Sequence, residues 1–375
     1  MKKWLAGMLV LCMMAVPCFA QEGPVPLQAP SAVLMTLDGR VLLEKDAHTQ
    51  REPASVTKVM TMLLVCEAID SGRLSPEDPV TATAHAASMG GSQIWREEGE
   101  VLTVGEMLKC VAVVSANDCA VALGEHLAGS EAAFVTMMNQ RAKELGMENT
   151  TFVNACGLTA PGHETTAYDI GLMSAQLLRE HPWICDYTTI WQDSVRNGQS
   201  VLNNTNKLLK SYQGITGLKT GYTSTAGYCV SATAEREGLH LIAVVMGGES
   251  SASRNADASA LLNWGFANYA AVTLGPDRPL LPLPVEMGIS DSVALELGAC
   301  LPQVMPRADL GRLEKALELP GVLKAPVEAG QQVGDLVVHL EGKEVCRVPV
   351  LAAEGVPRMG LLQIFAMVFA HLCGR

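Results

Sequence analysis

Seven consecutive residues, Val59-Met60-Thr61-Met62-Leu63-Leu64-Val65, are apolar on almost every face of a helix. No other stretch constrains the fold as much. A helix that is apolar all round must be buried, so the rest of the domain has to wrap around this one. The polar residues that begin it, Ser55-Val56-Thr57-Lys58 after Pro53, are drawn toward the interior with it. A chain of 375 residues, 49% of them hydrophobic, has the material for a large core and for two domains. This level of hydrophobicity also argues against disorder.

The remaining patterns fill in around that helix, which is expected from Pro53 to about Ile69. Ala32 to Glu44 reads as a hairpin turning at Asp38-Gly39. Thr103 and Glu106 form a capping box ahead of an apolar helix, Val104 to Val114. Further helices are expected from near Asp118 and from Ser130 to Gly146. Gly227 to Ala234 and Leu239 to Met246 read as two buried strands joined by the turn Glu235-Arg236-Glu237-Gly238, and Ala256 to Tyr269 as a helix. Early and late strands flank a helical block, which implies an α+β domain with one antiparallel sheet and helices packed around it. From about Ala271 the composition shifts. Prolines 276, 279, 282 and 284 cluster, and alternating segments such as Val333 to Leu340 and Val345 to Leu351 follow. This is the pattern of a small, separate, mainly β domain over 271–356.

The two ends read differently from the body. Lys2 and Lys3, an apolar run from Leu5 to Val16, and Pro17-Cys18-Phe19-Ala20 make a secretory signal peptide, so residues 1–20 are expected to be removed on export. That removal takes the formal charge from −12 to −14. An acidic chain with no basic stripe is a poor partner for nucleic acid. Eleven cysteines fall to nine after cleavage, none in a CxxC arrangement, and no histidine pair has zinc-ligand spacing. Cys66, Cys110, Cys156 and Cys229 lie in apolar stretches and read as buried thiols, with a disulfide elsewhere left open. No metal or organic cofactor is implied. Residues 357–375 close the chain, and Met359 to Cys373 is nearly all apolar, with Gly360, Gln363, Met367 and His371 forming a narrow, less apolar stripe. It is short for a membrane span and suits an amphipathic anchor at a membrane surface, or packing onto the β domain.

Three short motifs carry the chemistry. Ser55-Val56-Thr57-Lys58 is SxxK, Ser115-Ala116-Asn117 is SxN, and Lys219-Thr220-Gly221 is KTG. Residues three apart share a helix face, so the Lys58 amine can reach the Ser55 hydroxyl. A desolvated lysine can act as the base that a serine nucleophile requires. SxN falls between two helices, where a loop can aim side chains into a cleft. Lys219 is an odd residue for a sheet interior unless it faces a cleft, and Gly221 permits close backbone approach.

In this order the set resembles the penicillin-binding and serine β-lactamase superfamily. Longer stretches narrow the resemblance to D-alanyl-D-alanine carboxypeptidases. They are Glu52 to Lys58, Ser115-Ala116-Asn117-Asp118 with Ala120 to Leu123, Gly217 to Thr223 with Ala226-Gly227-Tyr228, and Gly157-Leu158, Ala160-Pro161-Gly162 and Ala167-Tyr168-Asp169. The similarity covers roughly residues 30 to 355. It implies a transpeptidase-like catalytic domain, here residues 21–270, that removes the terminal D-alanine of peptidoglycan stem peptides and is acylated by β-lactams. On this reading Ser55 is the nucleophile and Lys58 the general base. Ser115 relays a proton, and Asn117 holds the substrate amide or positions Lys58. Lys219 and Thr220, with Arg254 assisting, hold the terminal carboxylate, and the N–H groups of Ser55 and Tyr222 form the oxyanion hole beside Gly221. Many relatives have His where Tyr222 stands, a change that a backbone donor tolerates. No catalytic role is assigned to His163 or Glu164. The expected location is the outer face of the cytoplasmic membrane, in the periplasm or cell-wall space.

Two other readings fit the motifs. A class A-like β-lactamase has compatible spacing, 60 residues from Ser55 to Ser115 and 164 to Lys219. It needs a Glu with a nearby Asn before the third motif, and Glu164-Thr165-Thr166-Ala167-Tyr168 offers the Glu alone. A non-catalytic penicillin- or wall-binding relative would keep the fold without the chemistry.

Overall fold

The computed structural model describes residues 24–300 and 302–372. The expected signal peptide lies outside them, as does Cys373. Five strands form one antiparallel sheet in the order Val41–Lys45, Ser31–Thr36, Leu239–Gly248, Gly227–Arg236, Ile215–Thr223. The first hairpin and the last three strands therefore meet in the middle of the sheet, through the pairing of Ser31–Thr36 with Leu239–Gly248. Most of the chain between them in sequence is inserted on one face as a mainly helical block, while Leu208 and Tyr212 pack on the other.

The Lys58–Asp70 helix lies at the centre of that block, and every residue from Lys58 to Cys66 is buried. Around it pack Val104–Val113, Asn117–Ala128, Glu131–Glu144 and Ala167–Glu180. Their starts are set by local chemistry. Thr103 and Glu106 form the expected capping box, and Ser130 and Thr166 each accept a hydrogen bond from the backbone three residues on. Ala167–Glu180 lies against the sheet, and the helix Ser251–Asn268 covers the opposite face. The sheet is thus buried on both sides, which is why Gly227–Arg236 and Leu239–Gly248 read as continuous apolar runs rather than alternating ones.

Two expected bounds move. The helix expected from Ala256 begins five residues earlier, at Ser251, because Ser250 and Ser253 form a capping box in a polar stretch that apolar periodicity does not register. The first helix opens with a tight 3₁₀ turn, Ala54–Thr57, before becoming α-helical at Lys58. Buried side chains between Leu274 and Val356, chiefly valines and leucines, form a third core. In it, Gln332–Leu340 and Lys343–Ala352 form the longest hairpin, flanked by Leu295–Leu297 and Leu313–Glu318. The molecule is α+β with a C-terminal β domain, as expected. Leu361–Leu372 forms a terminal helix.

Candidate active site

The 3₁₀ turn brings the first motif together. In 3₁₀ geometry, side chains at i and i+3 eclipse one another, and Lys58 Nζ donates to Ser55 Oγ at 2.9 Å. The turn is strained, since Ala54 adopts φ +47 without being glycine, and such outliers gather at functional sites. Lys58 Nζ also donates to Asn117 Oδ1 at 2.6 Å and to the Cys156 carbonyl at 2.7 Å. An ammonium has three protons, and here each has an acceptor. Burial lowers the Lys58 pKa from 10.5 to about 8, partly offset by Cys156 and Asp118 nearby.

This hydrogen-bond set decides what happens when Lys58 loses a proton. A carbonyl can only accept, so neither Asn117 Oδ1 nor the Cys156 carbonyl can bond to the lone pair exposed on the amine. Ser55 Oγ alone among the three partners can donate as well as accept. Neutral Lys58 is therefore satisfied only by taking a hydrogen bond from the Ser55 hydroxyl, the arrangement that activates a nucleophile.

The second motif lies where the Val104–Val113 and Asn117–Ala128 helices join. Ser115 takes φ +65, and its buried hydroxyl has no hydrogen-bond partner among the described residues. Asn117 is held from two sides, its N–H donating to the Ser92 carbonyl at 2.7 Å and its Nδ2 to the Gly90 carbonyl at 2.6 Å. That fixes Oδ1 on Lys58. The third motif is in the edge strand Ile215–Thr223. Lys219 is fully buried and donates to the Thr220 carbonyl at 2.8 Å, while Thr220 Oγ1 donates to Thr205 Oγ1 at 2.8 Å. Burial holds the Lys219 pKa well below the ordinary lysine value, and Lys58 and Arg254 push it the same way.

Gly221 serves the chain's own backbone, where the sequence pointed only to room for a ligand. A Cβ there would sit 2.9 Å from Ser55 N and 3.0 Å from the Pro53 carbonyl. Its bareness lets the edge strand press against the Ala54–Thr57 turn, which puts the Ser55 N–H beside the strand that carries Tyr222. The Tyr222 ring points outward, 55% exposed, and stacks on Tyr228 with centroids 4.3 Å apart. Arg254 is buried on the Ser251–Asn268 helix, bonded to Asn255 Oδ1, Ser251 Oγ and the Cys229 carbonyl. It is not a solvated surface arginine. Among the described residues, none of Lys58, Lys219 and Arg254 forms an ion pair with a carboxylate.

Several contributors carried no role in the sequence reading. Asn154 Oδ1 accepts from the N–H groups of Cys156, Gly157 and Leu158 at 3.2, 2.7 and 3.1 Å, and so aims the Cys156 carbonyl at Lys58. Gly157 is at φ +84, where a Cβ would fall 1.9 Å from the Ala54 carbonyl. His163 Nδ1 accepts from the Val153 N–H at 3.0 Å, which leaves Nε2 to donate to Thr57 Oγ1 at 2.8 Å. Burial lowers its pKa to about 4, so it stays neutral and braces the turn. The resemblance matches Gly157-Leu158, but a role for these residues needs the loop folded back onto Ala54 and Lys58.

The family model described as D-alanyl-D-alanine carboxypeptidase matches residues 19–250, well over half of the chain, and the one described as penicillin-binding protein 5, C-terminal domain, matches residues 277–358. The chain belongs to the D-alanyl-D-alanine carboxypeptidase family. It is 39% identical over 341 residues to the D-alanyl-D-alanine carboxypeptidase DacF of Bacillus subtilis, covering 89% of this chain and 87% of that protein. Penicillin-binding protein 5 from Haemophilus influenzae superposes with a TM-score of 0.69 at 30% identity, covering 90% of this chain and 99% of that one. Penicillin-binding protein D2 from Listeria monocytogenes, solved in an ampicillin-bound form, superposes with a TM-score of 0.59 at 34% identity over 64% of this chain and 98% of that one. The family membership carries serine-type D-Ala-D-Ala carboxypeptidase activity on peptidoglycan, with β-lactam binding.

Proposed function

We propose that Ser55 is the nucleophile of this carboxypeptidase and that Lys58, in its neutral form, is the base. The observation that supports this reading is the set of three acceptors around Lys58 Nζ, of which only Ser55 Oγ can reverse its role. Ser55 Oγ attacks the carbonyl carbon between the two terminal D-alanines. Its proton passes to Lys58, and an O–C bond forms. The developing oxyanion is met by the Ser55 and Tyr222 N–H groups. As the C–N bond breaks, Ser115 passes its proton to the departing amine and takes the one held by Lys58, which is left neutral again, a task suited to a buried hydroxyl with no competing partner among the described residues. Water then attacks the ester with Lys58 again taking the proton, which releases the shortened peptide and restores Ser55. Lys219, Thr220 and Arg254 hold the terminal carboxylate. Two buried lysines and a buried arginine without carboxylate partners favour an anionic ligand. A β-lactam enters by the same route, with its carboxylate on Lys219.

Residues 1–20 direct export, and 21–270, 271–356 and 357–375 are the catalytic domain, the β domain and an anchor. The anchor reading is supported by the terminal helix, which exposes Leu361, Leu362, Phe365, Val368 and Phe369 on one apolar face. Among the described residues no helix is long and apolar enough to cross a membrane, and an exposed apolar face of this length fits a helix lying in the lipid interface. The protein then works on the outer face of the cytoplasmic membrane.

D-alanine release from diacetyl-Lys-D-Ala-D-Ala, measured by mass spectrometry for the wild type beside Ser55→Ala, tests the assignment. Release by the wild type alone is expected. Equal release by both removes Ser55 from the mechanism.

A further inference from the structure

Trp95 is 75% exposed, more than any other described Trp, Tyr or Phe, and it adopts φ +55. A bulky residue in the left-handed region is an outlier that the surrounding structure has to enforce. Here the enforcement is explicit. The buried Asp118 carboxylate accepts from the N–H groups of Ile94 and Arg96, both at 3.1 Å, on either side of Trp95. The buried Arg96 guanidinium donates to the Val80 and Glu100 carbonyls. Arg196 pairs with both oxygens of Glu100, at 2.7 and 2.9 Å, and donates to the Ile94 carbonyl at 2.8 Å. An indole is thus held out in solvent by a rigid polar frame, where collapse onto the surface would bury apolar area.

The indole forms one wall of an open groove of about 560 Å³, whose other walls include Glu97, Asn197, Gln199 and Ser200. One aromatic face beside carboxylate, carboxamide and hydroxyl groups suits a sugar ring, which offers C–H groups on one face and hydroxyl and acetamido groups around its edge. Both walls are tied to the catalytic cleft. Ser92, three residues before Trp95, accepts from the Asn117 N–H. Thr205, five residues after Ser200, accepts from Thr220 Oγ1. Extended spans of three and five residues are roughly 10 and 17 Å. In peptidoglycan about four residues separate the scissile bond from the sugar that bears the stem, roughly 14 Å when extended.

We propose that the Trp95 groove is a subsite for the N-acetylated hexosamine of the glycan strand to which the stem peptide is attached. This rests on the assignment of the cleft around Ser55, Asn117 and Thr220. Its consequence is that the enzyme reads the sugar as well as the peptide, with the indole stacked on the ring and Asn197 and Gln199 bonding its edge.

The test compares disaccharide-pentapeptide with free pentapeptide in wild type, Trp95→Ala and Gln199→Ala, alongside a tryptophan-fluorescence titration with the tetramer of N-acetylglucosamine. Penicillin acylation of each variant checks that the cleft is intact. The wild type is expected to show a higher kcat/KM on the disaccharide substrate. Trp95→Ala should lose about tenfold of it through KM, as expected for one stacked aromatic, and should match the wild type on the free peptide. Gln199→Ala should show a smaller loss in the same direction. Sugar should perturb wild-type fluorescence and leave that of Trp95→Ala unchanged. Equal losses on both substrates would make Trp95 a peptide contact, and no preference for the disaccharide with no fluorescence response would remove the subsite. If the wild type releases no D-alanine from either substrate, the cleft assignment fails, and the fluorescence titration still decides whether the groove binds sugar.

Discussion

The catalytic cleft and the face of the β domain handle positive charge in opposite ways. On the β domain Arg347 is 40% exposed by side chain and is met by Glu318, Asp335 and Glu344 at 2.7, 3.4 and 2.8 Å, and the bonds to Glu344 and Glu318 push its pKa above the ordinary arginine range. Arg312 is likewise paired with Asp309 and Glu341. In the cleft Lys58, Lys219 and Arg254 are buried, and burial pushes all three pKa values down. On the β domain, charges that water already solvates are given partners; in the cleft, cations taken out of water are hydrogen-bonded only to neutral acceptors. Exposed pairs contribute little to stability, and buried unpaired cations reduce it. The proposed roles give the second arrangement its use, since it leaves Lys58 ready to lose its proton and offers a place for a carboxylate.

Lys58 is the cation on which the cleft arrangement depends most. Lys58→Ala is expected to lower D-alanine release and the rate of penicillin acylation by on the order of 10⁴-fold, read by mass spectrometry of intact protein. Loss of substrate turnover with normal acylation would place the base elsewhere. At Lys219 the two sides of the comparison separate. Lys219→Met should lower kcat/KM by roughly 10²-fold, as for loss of one charged contact to the reacting substrate. It should also raise the melting temperature by about 2–5 °C, because an unpaired buried charge is replaced by an apolar chain of similar length. A fall in both would show that Lys219 supports the fold. Asn154→Ala tests the frame behind Lys58. Three N–H groups lose their acceptor, the Cys156 carbonyl is no longer aimed, and activity should fall about tenfold with a matching shift of the acid limb of the pH profile. Deleting residues 357–375 should release the protein from membranes with activity on soluble peptide unchanged. A truncated form that still pellets with membranes contradicts the anchor. At the exposed end of the scale, Arg347→Ala should leave activity untouched and shift the melting temperature by no more than about 1–2 °C.

What could be read from the sequence follows how local each cause is. The capping box at Thr103, the turn at Asp38-Gly39 and the buried helix behind Ser55 each depend on a few neighbouring residues, and they stand where expected. The three motifs could be recognised as a set, and the side chains of Ser55, Lys58 and Asn117 do meet. The 3₁₀ turn and the φ of Ala54 are imposed from outside, by the Gly221 strand on one side and the Gly157 loop on the other, so no local pattern encodes them. The role of His163 has the same origin, since its partners are Thr57 and Val153 from separate segments. The Ala167–Glu180 helix is a different case. Its cap at Thr166 and its apolar stripe are both visible in the sequence, although the family motifs include only its first three residues.

The measurement that bears most directly on an unpaired, reversible Lys58 is the pH dependence of Ser55 acylation by penicillin, followed by intact-protein mass spectrometry. The base must be neutral to accept the serine proton, so the second-order rate constant should rise about tenfold per pH unit on the acid side and level off. Burial of Lys58 puts that midpoint at about 8. A rate still climbing toward the ordinary lysine value of 10.5, or one indifferent to pH across this range, would contradict it.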